Sequence, residues 1–477
     1  MIKNMMKGCF PVGEKTNLEQ MKEKLLRNKK SGVIRAGAEA VRQADEYCGA
    51  YKEFLDEAKT EREAVLYAIK HAEAAGFVPF NAKAAYKAGD KVYLNNRNKA
   101  IILAVFGKKP CAEGVRIAAA HIDSPRLDLK PNPLYEKTGL AFFDTHYYGG
   151  IKKYQWTTIP LALHGRVVKK DGTCVDIRLG EDAGDPQFCV TDLLPHLAGE
   201  QMQKTMAKAI DGENLDILIG SRPLGDDDGA DSVKTNIMML LHEKYGITED
   251  DFVSADLTMV PAFRAVDIGF DRSMIGSYGH DDRVCAYTSF TAALAVGQPE
   301  HTTVTVLTDK EEIGSEGNTG LQCDYLRHFI EDLATMENVP AREVFRRSTC
   351  FSADVNAAYD PAYASAYEEN NSAYCNGGVV ITKYTGSRGK SGTSDATAEF
   401  MGSVRKILDD AGVVWQTGEL GRVDIGGGGT VAMYIANLNV DVVDVGVPVL
   451  SMHAPLEVVS KLDVFMTFRA FEAFFRS

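Results

Sequence analysis

Several short apolar runs of this chain end on ionisable residues, and this arrangement constrains the fold more than any other feature. The run Thr303–Thr308 is rich in β-branched residues and is followed, three positions later, by the adjacent carboxylates Glu311 and Glu312. Such a run predicts a buried strand. Two carboxylates at its end repel each other unless other groups offset their charge. The sequence therefore predicts a buried sheet whose strands end at a charged site.

Strand-like and helical segments alternate along most of the chain. The runs 99–107 and 113–123 are apolar and bounded by glycine, which favours buried strands. Segment 59–76 has the helical signals of a capping box, Thr60 with Glu63, and a closing glycine. Further helices are predicted at 281–297, 394–412 and 456–475. This alternation predicts an α/β fold, a three-layer arrangement in which helices flank the sheet.

The middle of the chain has a different pattern. Segment 165–180 alternates around an Asp-Gly turn, which is typical of a β-hairpin. With 477 residues the chain is too long for one ordinary core, so two domains are expected. We predict a discontinuous α/β domain made of residues 1–124 and 256–477, with a β-rich domain inserted at 125–255.

The composition excludes several classes of protein. Lys and Arg total 53 against 66 Asp and Glu, a net charge of −13, which argues against a nucleic-acid binder. The nine cysteines are scattered and odd in number, unlike a disulfide framework or a structural zinc site. The N-terminal residues lack the apolar core of a signal peptide, and no uncharged apolar run reaches the length of a membrane span. We therefore expect a cytoplasmic protein without membrane partners.

Imidazoles and carboxylates follow the apolar runs directly. In an open α/β sheet, ligand sites form outside the strand ends, so these side chains are expected to meet at one edge. Nitrogen and oxygen donors of this kind suit a divalent cation, zinc first. The residues are His121, Asp123, Asp281, Asp282, Glu311, Glu312, Asp354 and His453.

Each of these residues alone also fits an ordinary structural role. A strand-end aspartate is commonly a turn residue, two aspartates before a helix commonly cap it, and a buried histidine is commonly satisfied in the core. Only their coincidence favours a site. Spacing adds one argument: in an extended segment His121 and Asp123 share a face, so the carboxylate can orient the imidazole. The glycine run at 424–430 lacks the lysine of a phosphate loop and fits a tight turn or a substrate wall.

The motifs together resemble the aspartyl aminopeptidase family. The resemblance rests on "AAHIDSPRLDLKP", "GHDDRVCAY", "DKEEIGSEG", "SADV" followed by "YDP", and "SMHAPLE", in that order. It extends from about Val115 to the C-terminus, and the ordered set is far more specific than any single motif. The resemblance implies a cytosolic metallo-aminopeptidase with two divalent ions, zinc above cobalt or manganese, that acts on peptides with a free N-terminus.

The family resemblance also implies a role for individual residues. Glu311 resembles the general base that activates water, and Asp123 the aspartate that orients a histidine ligand. The aspartate that bridges both metals precedes a cis peptide bond in the family, so the bond between Asp281 and Asp282 is expected to be cis. The metal ligands implied are His121 and Asp354 for one ion, Glu312 and His453 for the other, and Asp281 between them.

The inserted segment resembles the dimerisation domain of the family, whose dimers assemble into tetrahedral dodecamers. Its "PHLA" motif places His196 where the family has a histidine that completes the active site of a neighbouring subunit. A surface histidine at a helix end is the alternative. If the resemblance holds for this residue, an isolated subunit lacks a complete site.

Two departures from the family pattern concern the substrate. Ala357 stands three residues after Asp354, where many relatives have a histidine. The segment 382–396 replaces a shorter basic segment, and its cations are candidates for binding an acidic N-terminal side chain, with a surface loop as the alternative. A broad or neutral preference is therefore a serious alternative to strict Asp/Glu specificity. The candidate cations are Lys383, Arg388 and Lys390.

Two other functions remain open. A di-zinc deacylase or carboxypeptidase could use the same type of fold, and a positive group for a substrate carboxylate would favour it. A catalytically silent assembly protein is the third hypothesis. Occupation of the base and of all five ligand positions argues against it. The preferred N-terminal residue, the native metal, the physiological peptides and the subunit count do not follow from the sequence.

Overall fold

The computed structural model describes residues 17–26, 31–226 and 229–477. Within these residues helices and strands alternate, as the sequence predicts. The helices are α1 (Asn17–Leu25), α2 (Gly32–Glu57), α3 (Glu61–Ala74), α4 (Met206–Ala209), α5 (Ser232–Tyr245), α6 (His280–Ala295), α7 (Tyr325–Met336), α8 (Ala341–Phe345), α9 (Ala398–Asp410), α10 (Ala432–Ala436) and α11 (Lys461–Phe475).

The strands form three sheets. The strands are β1 (Val78–Pro79), β2 (Lys91–Asn96), β3 (Ala100–Val105), β4 (Arg116–His121), β5 (Arg126–Lys137), β6 (Leu140–Tyr148), β7 (Leu161–Val168), β8 (Cys174–Leu179), β9 (Cys189–Val190), β10 (Ile217–Gly220), β11 (Ala255–Pro261), β12 (Val266–Ile268), β13 (Met274–Ser277), β14 (Thr303–Thr308), β15 (Thr349–Ala353), β16 (Asn356–Ala357), β17 (Val379–Thr382), β18 (Trp415–Thr417), β19 (Asp441–Gly446), β20 (Pro448–Leu450) and β21 (Glu457–Ser460).

The largest sheet has nine strands in the order β1-β2-β3-β14-β4-β15-β19-β17-β18. Its centre, β14-β4-β15-β19, is parallel, and the flanking β3 and β17 pair antiparallel to it. The central strands β4 and β14 are buried on both faces. Accordingly β4 contains a continuous apolar run, whereas β14 alternates threonine with valine and buries its threonines as well. Their carboxyl ends meet at one edge of the sheet.

Helices cover both faces of this sheet, which gives the predicted three-layer α/β arrangement. On β3, Ile101, Leu103 and Val105 pack into one core with α2, α3, α6, α9 and α11. Ile102 and Ala104 point to the opposite face and pack with α7, α8 and α10. This alternation follows from the two-residue period of a strand. The capping box predicted for Thr60 and Glu63 is present at the start of α3.

A second sheet contains the strands between Arg126 and Pro261. Its seven strands run β8-β7-β11-β5-β6-β10-β9, and all six neighbouring pairs are antiparallel. The hairpin predicted at 165–180 lies in it as the pair β7–β8. This sheet encloses its own apolar core, which includes Trp156 and Leu257. The division of the chain into domains at 124/125 and 255/256 remains a prediction.

A smaller sheet, β12-β13-β21-β20-β16, lies beside the first. The predicted closing helix at 456–475 is wrong at its start. Glu457–Ser460 form the strand β21, and α11 begins at Lys461. None of the helices in the described residues has the length and apolar character needed to cross a membrane. The eight cysteines in the described part of the chain are free thiols.

Candidate metal centre

The strand ends bring most of the predicted ligands to one edge of the nine-stranded sheet. His121 is the last residue of β4, and Asp354 follows β15 directly. Glu311 and Glu312 begin a short 3-10 turn just after β14. Because β14, β4 and β15 are adjacent and parallel, these four side chains meet although they are far apart in sequence.

Asp281 lies between two imidazoles at the centre of the cluster. It occupies the first turn of α6, and His453 comes from the turn between β20 and β21. Its Oδ1 is 3.2 Å from Nε2 of His121, and its Oδ2 is 3.1 Å from Nε2 of His453. Each oxygen of this carboxylate therefore faces the Nε2 atom of a different histidine. A carboxylate that bridges two cations has this arrangement.

The remaining carboxylates flank this central contact. Asp354 Oδ1 lies 3.9 Å from Nε2 of His121, on one side of Asp281. Glu312 Oε2 lies 3.6 Å from Nε2 of His453, on the other side. Glu311 Oε2 is 3.9 Å from Nε2 of His121. The structure thus brings all five predicted ligands and Glu311 into one cluster.

Both histidines are oriented by acceptors at their outer nitrogen. Nδ1 of His121 faces the backbone carbonyl of Asp123 at 3.0 Å and its Oδ1 at 3.2 Å. Nδ1 of His453 is 2.7 Å from the carbonyl oxygen of Gly150. An acceptor at Nδ1 favours the tautomer with the proton on that nitrogen, which leaves the lone pair of Nε2 directed into the cluster.

Asp123 contacts more of the site than the sequence predicts. Its carboxylate accepts the backbone N–H of Glu311 and of Glu312, each at 3.2 Å, one on each oxygen. Its Oδ2 also accepts the hydroxyl of Tyr148 at 2.8 Å. Asp123 therefore fixes the backbone from which the two adjacent glutamates project.

Sequence reasoning missed Glu457, a second carboxylate that holds ligands through their backbones. Its side chain is 1% exposed. Oε2 accepts the N–H of Asp281 at 3.0 Å, and Oε1 accepts the N–H of His453 at 2.7 Å. The signal available in the sequence was an acidic residue directly before the apolar run "VVS", which was assigned to the closing helix instead.

The carboxylates that flank Asp281 have raised pKa values. Burial, together with the charge of Asp281, raises the pKa of Glu312 well above its usual range. Burial and the charge of Asp282 do the same to the pKa of Asp354. Burial also raises the pKa of Glu311. These groups need neighbouring positive charge to be ionised at neutral pH.

The imidazoles supply part of that charge. Burial opposes their protonation, but Asp123 and Asp281 hold the pKa of His121 well above its usual value. Contacts with Asp281 and Glu312 likewise overcome burial and raise the pKa of His453 to about 10. Burial also works against ionisation of Asp281, yet the two histidines hold its pKa below the usual range. The negative charge of this cluster therefore needs compensating positive charge between the imidazoles and the carboxylates.

The donor set fits divalent metal. Oε1 of Glu312 and both carboxylate oxygens of Asp282 are buried and accept no hydrogen bond from the described residues. Buried polar atoms normally have a partner, so these oxygens indicate a missing one. The ligand atoms of His121, Asp281 and Glu312 lie within 4.8 Å of one another, and the same holds for His121, Asp282 and Asp354. Imidazole nitrogen with carboxylate oxygen is a usual set for zinc.

Asp282 belongs to the second of these groups, although it is not among the five ligands that the family resemblance implies. Its side chain is fully buried, and neither of its oxygens has a hydrogen-bond partner among the described residues. Burial raises the pKa of Asp282 well above the usual range. The peptide bond between Asp281 and Asp282 is cis, as the resemblance predicts.

A cavity of about 410 Å³ opens onto the cluster. Its wall combines the candidate ligands with uncharged residues of β17 and of the neighbouring loops. Gly427–Gly429, in the glycine run, form part of this wall, which agrees with a substrate wall rather than a phosphate loop. The uncharged side chains in the wall include Asn356, Thr382, Thr385, Leu420 and Met452.

The three candidate cations for an acidic substrate side chain lie outside this cavity. Lys383 and Lys390 both pair with Asp395, and the ammonium of Lys390 also lies 3.6 Å from the ring centroid of Tyr384. Arg388 and Lys390 line a separate, adjoining cavity. The wall of the metal-site cavity contains no lysine or arginine among the described residues.

His196 lies in an exposed turn of the segment between β9 and α4. In the described part of the chain, no hydrogen bond or ion pair joins it to a candidate ligand. Three leucines beside it are exposed: Leu193 is 53% exposed, Leu194 50% and Leu197 69%. Within one subunit, His196 is therefore not part of the cluster.

Comparison with known proteins identifies similar sequences along almost the whole chain. Residues 54–475 match the family model of the aminopeptidase I zinc metalloproteases, family M18. A "Probable M18 family aminopeptidase 1" of Clostridium acetobutylicum is 51% identical over 432 residues, which is 89% of this chain and 93% of that relative.

Solved structures show the same fold. An M18 aminopeptidase from Thermotoga maritima superposes with a TM-score of 0.90 at 42% identity, covering 94% of this chain and 99% of its own. The mApe1 dodecamer of Saccharomyces cerevisiae superposes with a TM-score of 0.74 at 19% identity, covering 92% of this chain and 97% of its own. At that identity the second likeness speaks for the fold alone.

Proposed function

The chain belongs to the M18 family of zinc metalloproteases and is a metallo-aminopeptidase, and on that premise we propose how its own residues carry out the reaction. This membership confirms the family resemblance found in the motifs. The relatives reported above are aminopeptidases, so they lend no support to a deacylase, a carboxypeptidase or a silent assembly protein.

We propose that the cluster holds two zinc ions, with Asp281 as the ligand common to both. His121 and Asp354 complete the first site, and Glu312 and His453 the second. The observation that carries this assignment is the position of Asp281, one oxygen near each imidazole. When bound, the two ions polarise the scissile carbonyl and lower the pKa of a water molecule in the site toward about 7.

Glu311 acts as the general base. Its carboxylate faces the cluster from the side of His121 and is partly exposed to the cavity, so it can reach a water molecule there. It accepts a proton as the water oxygen attacks the peptide carbonyl carbon. The same proton passes to the amine nitrogen as the carbon–nitrogen bond breaks, so Glu311 ends the cycle ionised again.

A free N-terminus suits this cavity. The carboxylates of Asp281, Glu311 and Glu312 line it, and no lysine or arginine among the described wall residues offsets them. A substrate ammonium is attracted to such a wall, whereas away from the metal ions a free substrate carboxylate finds no lysine or arginine to pair with. We therefore propose that the enzyme releases single residues from the N-terminus of peptides.

Replacing the base separates chemistry from metal binding. Glu311→Gln keeps the shape of the side chain but accepts no proton, so kcat should fall by about 10²–10⁴-fold. Zinc content, measured by atomic emission, should remain at the wild-type level. Glu316→Gln, an exposed neighbour on the same loop, is the matched control and should keep wild-type kcat. A Glu311→Gln enzyme with wild-type kcat would remove Glu311 from the mechanism.

We propose that the enzyme prefers neutral N-terminal residues to Asp and Glu. The support is the uncharged wall formed by residues such as Thr382, Leu420 and Met452. An acidic side chain that extends along this wall, away from the metal ions, would find no lysine or arginine to pair with. Lys383 and Lys390, two of the candidate cations, already form ion pairs with Asp395.

A panel of aminoacyl p-nitroanilides tests this preference. With the zinc-loaded enzyme, kcat/KM for leucine and methionine substrates should exceed that for aspartate and glutamate by at least about tenfold, since an unpaired buried charge costs more than 1.4 kcal/mol. Lys390→Gln should leave this ratio unchanged. Faster release of aspartate, lost in Lys390→Gln, would instead assign acid specificity to the 382–396 segment.

We also propose that the active enzyme is a homo-oligomer built from dimers, with a tetrahedral dodecamer as the complete assembly. Leu193, Leu194 and Leu197 lie beside His196 and are exposed. A group of exposed apolar side chains is typical of a protein interface. In such a dimer the partner subunit's His196 would donate a hydrogen bond to the oxyanion formed from the substrate carbonyl. The mApe1 structure named above is a dodecamer.

Mixing two inactive variants tests whether the histidine acts between subunits. His196→Ala alone should lower kcat by about 10²–10³-fold, the usual effect of removing one oxyanion donor. Co-expressed with Glu311→Gln, it should recover about a quarter of wild-type activity, because half of random dimers contain one complete site. A mixture no more active than its components would show that His196 serves no neighbouring site.

A cytoplasmic location is part of the same proposal. The support is the state of the described cysteines, which are free thiols although several, such as Cys174 and Cys189, are not buried. Free accessible thiols persist in a reducing compartment.

A further inference from the structure

One segment of the seven-stranded sheet reaches the metal centre of the nine-stranded sheet. It consists of Tyr148, Gly149 and Gly150, at and just after the end of β6, and we refer to it as the YGG segment. Its three residues contact groups that belong to both proposed zinc sites. None of them was singled out by sequence reasoning, and none is a proposed ligand.

Tyr148 contacts the side of the first site. Its hydroxyl donates to Oδ2 of Asp123 at 2.8 Å. Asp123 in turn contacts Nδ1 of His121 through Oδ1 at 3.2 Å. Two polar contacts therefore connect Tyr148 of β6 with His121, the proposed zinc ligand.

The two glycines contact the side of the second site. The carbonyl of Gly150 lies 2.7 Å from Nδ1 of His453. Gly149 has φ of 76°, and a Cβ at this position would lie 3.1 Å from Oε2 of Glu312. Glycine is required there both by the backbone conformation and by the close approach of the ligand carboxylate.

Tyr148 is itself held rigidly. The guanidinium of Arg126 lies 4.1 Å from its ring centroid, a cation–π contact. Arg126 is buried and pairs with Glu61 of α3 and with Asp128 of β5, each at 2.8 Å. Burial raises the pKa of Tyr148, so the hydroxyl remains a hydrogen-bond donor. The Tyr148 ring is thus held by Arg126, which is itself paired with residues of α3 and β5.

From these contacts we propose that Tyr148 is a positioning residue of the zinc centre. Its hydroxyl fixes the Asp123 carboxylate, which orients His121 and holds the backbone of Glu311 and Glu312. The seven-stranded sheet thereby contributes to zinc affinity in the nine-stranded sheet of the same subunit. The proposal rests on the zinc centre described under the proposed function.

The physical reason lies in the number of groups that Asp123 must satisfy at once. Its two oxygens accept from the backbone N–H of Glu311 and of Glu312 and contact the imidazole of His121. The Tyr148 hydroxyl adds a fourth contact, to Oδ2. Without it Oδ2 loses a donor in a buried site, and the carboxylate is free to rotate away from the imidazole. Loss of such an outer partner typically lowers metal affinity about 10–100-fold.

The test compares two adjacent tyrosines in the full-length enzyme. Tyr148→Phe removes only the hydroxyl. Tyr147→Phe is the matched control, because Tyr147 points to the opposite face of β6, is 41% exposed and has Lys153 near its ring. Zinc affinity is measured by competition with a chromogenic chelator. We expect Tyr148→Phe to bind at least one zinc ion about 10–100-fold more weakly, with Tyr147→Phe unchanged.

A double-mutant cycle distinguishes positioning from general destabilisation. If Tyr148 acts through Asp123, then Tyr148→Phe should weaken zinc binding in the wild-type background and change it little in Asp123→Asn. At saturating zinc, kcat of Tyr148→Phe should recover more fully than that of Asp123→Asn. A structural defect would instead lower zinc affinity equally in both backgrounds and lower the thermal midpoint of the metal-free protein.

Equal zinc affinity in wild type and Tyr148→Phe would overturn the inference and leave the zinc centre in place. Additive effects in the cycle would also overturn it, because the hydroxyl would then not act through Asp123. A wild-type protein that binds no zinc at all would remove the proposed centre, and the inference with it. A selective loss in Tyr148→Phe that disappears in Asp123→Asn would establish the positioning role.

Discussion

The position of Asp281 between two imidazoles is the constraint on which the rest of the site depends. Its oxygens lie 3.2 and 3.1 Å from Nε2 of His121 and His453. Around this contact the fold gathers further buried carboxylates, so negative charge exceeds what two imidazoles can offset. Buried like charges are costly unless they are paired or coordinated. Two divalent cations, as proposed above, would satisfy these groups together and would supply the Lewis acid of a metallopeptidase site.

The fold provides this geometry by placing ligands at strand ends and fixing them from behind. Parallel pairing of β14, β4 and β15 brings His121, Glu312 and Asp354 to one edge. Two buried carboxylates, Asp123 and Glu457, then hold backbone N–H groups of the ligand segments. Glu457 accepts from two separate ligand segments and so fixes their relative position. Asp123 holds the Glu311–Glu312 backbone and also contacts the imidazole of His121. The seven-stranded sheet adds the YGG segment, so both sheets contribute to one centre.

Much of this arrangement was predictable from the sequence. Continuous apolar runs predicted the central strands, and the ionisable residues at their ends predicted the cluster, because parallel strands must end together. The family resemblance added the grouping of ligands and the cis bond. Glu457 and Tyr148 were not predictable in this way, because their roles arise from tertiary contacts to the backbone and to Asp123. The sequence predicts helix at Glu457–Ser460, where the structure has β21. Four residues are too few to distinguish the two-residue period of a strand from the helical period of the segment that follows them.

The central claim is that Asp281 lies between two zinc ions. The most direct test is a crystal structure of the zinc-loaded protein with anomalous diffraction measured on both sides of the zinc absorption edge. We expect two zinc peaks, one on each side of the Asp281 carboxylate and roughly 3.5–4 Å apart. His121 and Asp354 should contact one peak, and Glu312 and His453 the other. A single peak, or zinc bound away from Asp281, would show that Asp281 does not bridge two ions.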